Sequence, residues 1–172
     1  MLFRSAVADS RLARGITAHQ SYWSAWGTWR PEDWRLPFLV TTAGQAIGVQ
    51  ELEATDFLAV RTAGSSSFLI PQARGRGLGK QMRRAVLALA FGPLGAQAAI
   101  TSAWHDNHAS LGVSRALGYQ PNGESFHTRR DHADVMVHLR LRRADWLATG
   151  AAQGITVTGF DACRPLFGLP AS

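Results

Sequence analysis

Cysteine is almost missing from this chain: Cys163 is the only one among 172 residues. No disulfide framework can form within it, and a reducing compartment suits that composition. Long apolar runs are missing as well. The longest uncharged stretch, Ala85 to His105, is interrupted by Gly92, Pro93 and Gly95, too short and too broken to span a bilayer. Met1 to Gly15 alternates small, basic and acidic residues and lacks the continuous apolar core of a secretory signal, so a cytoplasmic protein is expected. Lysine is reduced to Lys80; the other seventeen of the eighteen basic residues are arginine, which tells more about composition bias than about function.

The most informative absence is acidic. From Phe57 to His105 there is no Asp or Glu, while Arg61, Arg74, Arg76, Lys80, Arg83 and Arg84 all fall there, so the net charge of +6 rests on this segment. Within it lies Gln72-Ala73-Arg74-Gly75-Arg76-Gly77-Leu78-Gly79-Lys80, with glycine at every second position from Gly75. Glycines let backbone N–H groups approach a ligand closely, and a helix N-terminus presents unpaired donors with partial positive charge. A polyphosphate fits such a site. RNA binders interleave basic residues with exposed aromatics, whereas here Trp23, Trp26, Trp29 and Trp34 cluster elsewhere, so a small phosphorylated ligand is the better expectation.

With 46% hydrophobic residues and neither linker nor repeat, the chain reads as one α/β domain over residues 1–172. The region up to about Trp29 reads as helical, from Leu12, Ile16, Trp23 and Trp26. Strands are predicted over Pro37 to Thr42 and Ala46 to Glu53, joined by a turn at Ala43-Gly44-Gln45. Two more are predicted over Leu58 to Thr62 and Ser65 to Ile70. After the glycine loop, Leu78, Met82, Val86, Leu89 and Ala90 form an apolar helical stripe, with Lys80, Arg83 and Arg84 read as its polar face. A buried strand is expected over Ala98 to Trp104, a helix over Asn107 to Leu117 stopped by Gly118, and strands over Phe126 to Thr128 and Asp134 to Leu141. Arg143 to Thr149 reads as a brief helix, and the tail from Gly150 as irregular.

Three phosphate motifs compete for the glycine loop. A dinucleotide fingerprint needs a third glycine where Lys80 stands, and a Walker A loop ending at Gly79-Lys80 needs glycine at 74 and Ser or Thr at 81, where the chain has Arg74 and Gln81. What remains is Gln-x-x-Gly-x-Gly between a strand and an amphipathic helix. This resembles the signature of the GNAT N-acetyltransferases. A second motif agrees: Asn107-His108-Ala109-Ser110 opens a helix that Leu117-Gly118-Tyr119 ends, similar to the ribosomal-protein acetyltransferases of the RimJ/RimL type. The resemblance covers Pro37 to Leu141. It implies a GNAT fold, a mixed and mostly antiparallel sheet of about 6–7 strands flanked by helices. Less chain precedes Pro37 than such proteins usually have, so a domain shortened at its N-terminus is expected.

The resemblance also implies roles. Acetyl-coenzyme A is the expected co-substrate and an amine the acceptor. Leu69 and Ile70 would offer backbone groups to the pantetheine arm, as an added strand does. Gln72, Arg74, Gly75, Arg76, Gly77, Leu78, Gly79 and Lys80 would wrap the pyrophosphate, the arginines adding charge-assisted contacts; Lys80 reads equally as a solvated helix residue. Asn107 would bond the pantetheine or cap its own helix. Many family members place a thiolate-protonating tyrosine where this chain has Ser114, which leaves Ser110 as the candidate donor, unless it bonds back into its helix.

The base stays unassigned: Glu51 and Glu53 share one face of a strand, and His105 and Asp106 follow the central strand, but no spacing singles one out. An α-amine of pKa about 7.7–8.0 costs about 1 kcal/mol to neutralise at pH 7, against about 4.6 for a lysine near 10.4. A site without a dedicated base therefore suits a protein or peptide N-terminus, or a small amine of lowered pKa. A binding module that holds the coenzyme without turnover and an aminoacyl-tRNA acetyltransferase are the alternatives. The four clustered tryptophans can fill the core, line an acceptor pocket or form a homodimer surface. No metal is expected, since His105 and His108 alone do not make a ligand set.

Overall fold

The computed structural model describes residues 11–171. Helix α1 spans Arg11–Gly27 and leads into strand β1, Trp34–Thr42. Pro37 lies inside β1, which its missing N–H permits because β1 is an edge strand. A turn at Ala43 and Gly44, both at positive φ, returns the chain as β2, Gln45–Ala54. The hairpin is the one predicted. The tryptophans divide: Trp34 is buried and Trp29 stacks on it, whereas Trp23 and Trp26 on α1 are exposed.

The strand expected over Leu58 to Thr62 is instead a helical turn, α2, Phe57–Val60. Asp56 and Arg61 flank it in the left-handed region and reverse the chain, and Phe57 drops fully into the core. A four-residue apolar run has no period to distinguish helix from strand, so only the core contact decides. Strand β3, Thr62–Leu69, follows, then a short turn of 3-10 helix at Pro71–Ala73, the glycine loop, and helix α3, Leu78–Phe91.

Strand β4 spans Ala98–Trp104, helix α4 His108–Ala116, strand β5 Gln120–Arg129, strand β6 His132–Arg142 and helix α5 Arg143–Ala148. Strand β5 is longer than the three residues predicted. It is the other edge, mostly exposed, with an irregularity between Pro121 and Glu124, so its sequence carries little apolar alternation. The tail is also more than irregular: Asp161–Phe167 forms a 3-10 helix, Phe160 and Phe167 are buried, and Trp29 Nε1 donates to the Leu166 carbonyl at 2.7 Å.

The six strands form one sheet in the order β1-β2-β3-β4-β6-β5, antiparallel throughout except for β3 beside β4. Alternate residues sort to two faces. Trp34, Leu52, Ala63, Ala99, Ala103, Leu139 and Leu141 join the core with Val86, Leu87, Ala90 and Leu111 of α3 and α4. Each valine or leucine side chain among them contributes about 1.5–3 kcal/mol on burial. Arg83 corrects the expected polar face of α3: it is only 2% exposed, one helical turn from Leu87 on the side turned to the sheet.

Candidate active site

Strands β3 and β4 pair over three residues only, Thr62 with Ala98, Ala63 with Ala99 and Gly64 with Ile100. Both continue, to Leu69 and Trp104, without further pairing. The sheet therefore opens into a fork whose two prongs carry unshared backbone groups. On β3, Ile70 donates its N–H to Ile47 of β2 at 3.0 Å. Antiparallel alternation then turns 66, 68 and 70 toward β2, and 65, 67 and 69 toward the fork. On β4, His105 donates to Val135 of β6, so the backbone of Ser102 and Trp104 faces the fork from the other side.

This geometry revises the prediction for the prong. Ile70 is occupied at both ends, by Ile47 through its N–H and by the N–H of Ala73 through its carbonyl. The carbonyl of Leu69 accepts from Arg74 Nε at 3.0 Å. Free donors and acceptors along β3 thus centre on Ser67 and the N–H of Leu69. Sequence reading missed Ser67, because strand register alone sets which way each peptide turns.

The glycine loop sits at the mouth of the fork. Arg74 is extended, while Gly75 and Gly77 have φ of +71° and +77°, which a side chain would strain. Lys80 and Gln81 both donate to the carbonyl of Gly77, the first bonds of α3. No backbone carbonyl among the described residues accepts from the N–H groups of Gly75, Arg76 or Gly77, and those of Leu78 and Gly79 belong to the unpaired first turn of α3. Arg76 and Lys80 are exposed beside them. Gly79 packs between Leu69 and Val113 and so joins the loop to the β3 prong and α4. The basic segment does not form one surface: Arg83 is buried, and Arg84 is tied to the carbonyls of Ala151 and Gln153.

A parallel pair that parts, a loop of unpaired amides at its mouth and a helix opening at Asn107 make up the candidate site. The family profile described as the acetyltransferase (GNAT) domain matches residues 5–120. The chain belongs to the GNAT acetyltransferase family. Among solved structures, this acetyltransferase is similar to the spermidine/spermine N-acetyltransferase SpeG from Vibrio cholerae, determined in complex with manganese ions. The two share 15% identity at a TM-score of 0.65, over 78% of each chain. A probable acetyltransferase aligns at 16% identity and a TM-score of 0.65, over 76% of this chain and 72% of that one. At such identities the likeness is one of fold. Members of the family use acetyl-coenzyme A, and the enzyme is an acyltransferase.

The acetyltransferase's predicted acid–base residues separate on inspection. Asn107 caps α4, its Oδ1 accepting from the N–H of Ser110 at 3.1 Å. Ser114, where many relatives have a tyrosine, is 1% exposed and donates to the Ser110 carbonyl, so its hydroxyl is held inside α4. Ser110 keeps its own hydroxyl at the half-buried start of the helix. Asp106 and Asp134 both bind Arg129, at 2.8 and 3.0 Å, and the Arg129 hydrogen bond holds each carboxyl below its ordinary range. His105 Nδ1 lies 2.9 Å from Asp134. Glu51 is clamped by Arg35 through both its oxygens. Glu53 pairs with Gly64 at the apex of the fork, and burial, followed by the charge of Glu51, raises its carboxyl above its ordinary value.

Two polar groups escaped the sequence reading. On the helical side, Thr101 Oγ1 donates to the carbonyl of Ser65 and accepts from Arg83 Nη1, with Tyr119 buried beside them and its phenol held up by that burial. On the opposite face, Ser102 of β4, His138 of β6, and Ser125 and His127 of β5 form a continuous chain of side chains. Only Ser125 and His127 are close in sequence, and a Ser-x-His spacing in an edge strand signals nothing by itself. A separate apolar cleft of about 380 Å³ lies among Phe38, Met82, Val86, Leu89, Ile155 and Val157, and offers no titratable group. No three His, Cys, Asp or Glu side chains converge on a common point among the described residues.

Proposed function

We propose that this acetyltransferase moves an acetyl group from acetyl-coenzyme A to a primary amine by direct attack, without an acyl-enzyme. One observation carries this reading: the fork between β3 and β4 opens at Gly64 and Ile100 with the unpaired amides of residues 75–79 at its mouth. The pyrophosphate would lie on those amides, with Arg76 and Lys80 beside it, and the pantetheine would run along Ser67 and Leu69 as an added strand. Asn107 would face it through the half of its amide that does not cap α4. Ser110 remains the candidate donor to the departing thiolate.

The carrier fills the helical side, so the acceptor approaches from the outer face. That face is uncovered, with Phe68 56% and Ile100 41% exposed on either side of the fork. Glu53, at its apex, supplies a carboxylate that attracts a cationic amine. An open face of this kind suits a flexible peptide N-terminus or a small amine more than a lysine embedded in a folded surface. The Asn107–Ser110 opening and the Leu117-Gly118-Tyr119 close of α4 support a RimJ/RimL-like subtype, while the spermidine N-acetyltransferases of the same fold support a small amine.

Native mass spectrometry of the purified protein with acetyl-coenzyme A, followed by thiol release on an amine panel, tests the reading. The panel pairs lysine-blocked peptides with N-terminally blocked ones, and adds spermidine. Turnover with the lysine-blocked set and loss on N-terminal blocking is the expected result. Coenzyme binding without thiol release on any amine would leave only a binding module. Binding that follows RNA length and collapses with salt would instead favour an RNA-directed acceptor.

A further inference from the structure

We propose that Ser102, His138, Ser125 and His127 form a proton relay that carries the proton of the attacking amine from the fork to solvent. This rests on the acetyl-transfer reading above and supplies the base that it lacks. The links are short and continuous: Ser102 Oγ to His138 Nδ1 is 2.7 Å, His138 Nε2 to Ser125 Oγ is 2.6 Å, and Ser125 Oγ to His127 Nε2 is 2.7 Å. All four residues project from the same outer face of three adjacent strands. Ser102 occupies the entry point. Its peptide faces the fork two residues beyond the last β3–β4 pair, while its side chain stands on the face by which an acceptor approaches.

The hydrogen-bond directions close without conflict. Ser102 Oγ–H donates to His138 Nδ1, His138 Nε2–H donates to Ser125, and Ser125 Oγ–H donates to His127 Nε2, leaving a proton on His127 Nδ1. In the reaction the amine nitrogen bonds to the thioester carbon and the C–S bond breaks, its electron pair leaving on sulfur. The surplus N–H proton passes to Ser102 as the hydroxyl proton moves to His138 Nδ1. His138 releases its Nε2 proton to Ser125, whose own proton goes to His127. One proton has then left the amine, and the imidazolium of His127 discharges to solvent. The thiolate takes up a proton, and the hydroxyls and ring tautomers reset before the next turnover.

The surroundings suit transfer. Trp104 stands edge-on to His127 at 6.4 Å, shielding one side of the half-buried pair. The charged groups around the relay are Arg129 of β5 and Asp134 and Arg140 of β6. Asp106 and His105 follow β4, and Glu53 with Arg35 lies across the fork. A protonated imidazole has no lone pair to accept the relayed proton, so kcat falls in acid. The competing role is cross-strand hydrogen bonding that merely steadies the sheet.

Ser102→Ala, Ser125→Ala and His138→Gln, compared with wild type at saturating acetyl-coenzyme A, separate the two. General-base catalysis is worth about 10²–10⁴-fold, and removing one link is expected to lower kcat about 10–100-fold with an alkylamine acceptor. The acidic limb of the pH profile should flatten, with acetyl-coenzyme A affinity unchanged. With hydroxylamine, already neutral at pH 7, the loss should shrink to a few-fold, and imidazole should restore part of the rate of His138→Gly. Equal losses with both acceptors, wild-type kcat in Ser125→Ala, or an acetyl group trapped on Ser102 would each overturn the relay while leaving acetyl transfer intact. A wild-type protein that binds the coenzyme and acetylates no amine would overturn both.

Discussion

Thr101 Oγ1 stands 3.0 Å from the carbonyl oxygen of Ser65 and donates to it across the gap where β3 and β4 have just ceased to pair. The hydroxyl replaces the ladder bond that the next pair would have made and also accepts from buried Arg83 Nη1 at 3.2 Å. One threonine thus fixes the apex from which the prongs diverge.

Thr101→Val keeps the shape and removes both bonds. Leaving the Ser65 carbonyl and a buried guanidinium N–H unpaired should cost about 1–3 kcal/mol. Denaturant unfolding reads this directly, accompanied by about 2–4 °C in Tm for each kcal/mol. A midpoint equal to wild type would show that the prongs part without the hydroxyl.

Arg83 is buried with no carboxylate among its described partners, and its Nε has no hydrogen bond. An unpaired buried charge is costly, so Arg83→Met, which keeps the stem and removes the charge, should be neutral or stabilising. A Tm more than a few degrees below wild type would assign the guanidinium a net stabilising role.

Gly77→Ala places a side chain at φ +77°. It should cost about 1–2 kcal/mol of stability and weaken acetyl-coenzyme A binding at least about tenfold by isothermal titration. Gly79→Ala is the contrast. Its φ lies outside the positive region, and an added Cβ meets Val113 at 3.6 Å and Leu69 at 3.8 Å, ordinary contact distances. Stability should then be unchanged or slightly higher.

Two sets of carboxylates give opposite pH signatures. Asp106 and Asp134 have folded values below their ordinary ones, so their stabilisation is present above about pH 4 and is lost as pH falls through the folded values. Asp134→Asn should flatten the acid limb of a stability–pH curve. Glu53 is raised: its contribution is fully present below its unfolded value and is lost as pH rises through the folded one. Glu53→Gln should therefore be at least as stable as wild type at pH 7 and indistinguishable from it near pH 3. A drop at pH 7 would mean that the charged form is favoured in the fold.

The tryptophans predict unequal mutants. Trp34 is 1% exposed and contacts Trp29, Phe57 and Phe167, so Trp34→Ala should cost about 3–5 kcal/mol. Trp23 is 67% exposed, and Trp23→Ser should stay within about 0.5 kcal/mol. Both are read by denaturant unfolding.

Much of the frame was legible in the residues. The Ala43-Gly44 turn, the α3 stripe and the Gly118 stop are local signals, and all three stand where they were expected. Phe57–Val60 failed because four apolar residues fit helix and strand alike. Arg83 failed because its charge suggested solvent, while the helix carries apolar residues around more of its circumference than a single stripe. The tail failed because Phe167 finds its partners on Trp29 and Trp34, far away in the chain, with Phe160 packed against it.

By itself the chain determined the glycine loop and the helix after it, because positive-φ glycines and a following helix are properties of neighbouring residues. It likewise determined the β1–β2 hairpin through the Ala43-Gly44 turn, whereas the mixed, mostly antiparallel sheet was what the family resemblance implied. Only the tertiary structure decided which peptides face the fork, that Ser114 is sealed inside α4, and that a serine on β4 meets two histidines on β5 and β6. Strand order and register settle those relationships, and they depend on contacts between segments whose separation along the chain no local pattern encodes.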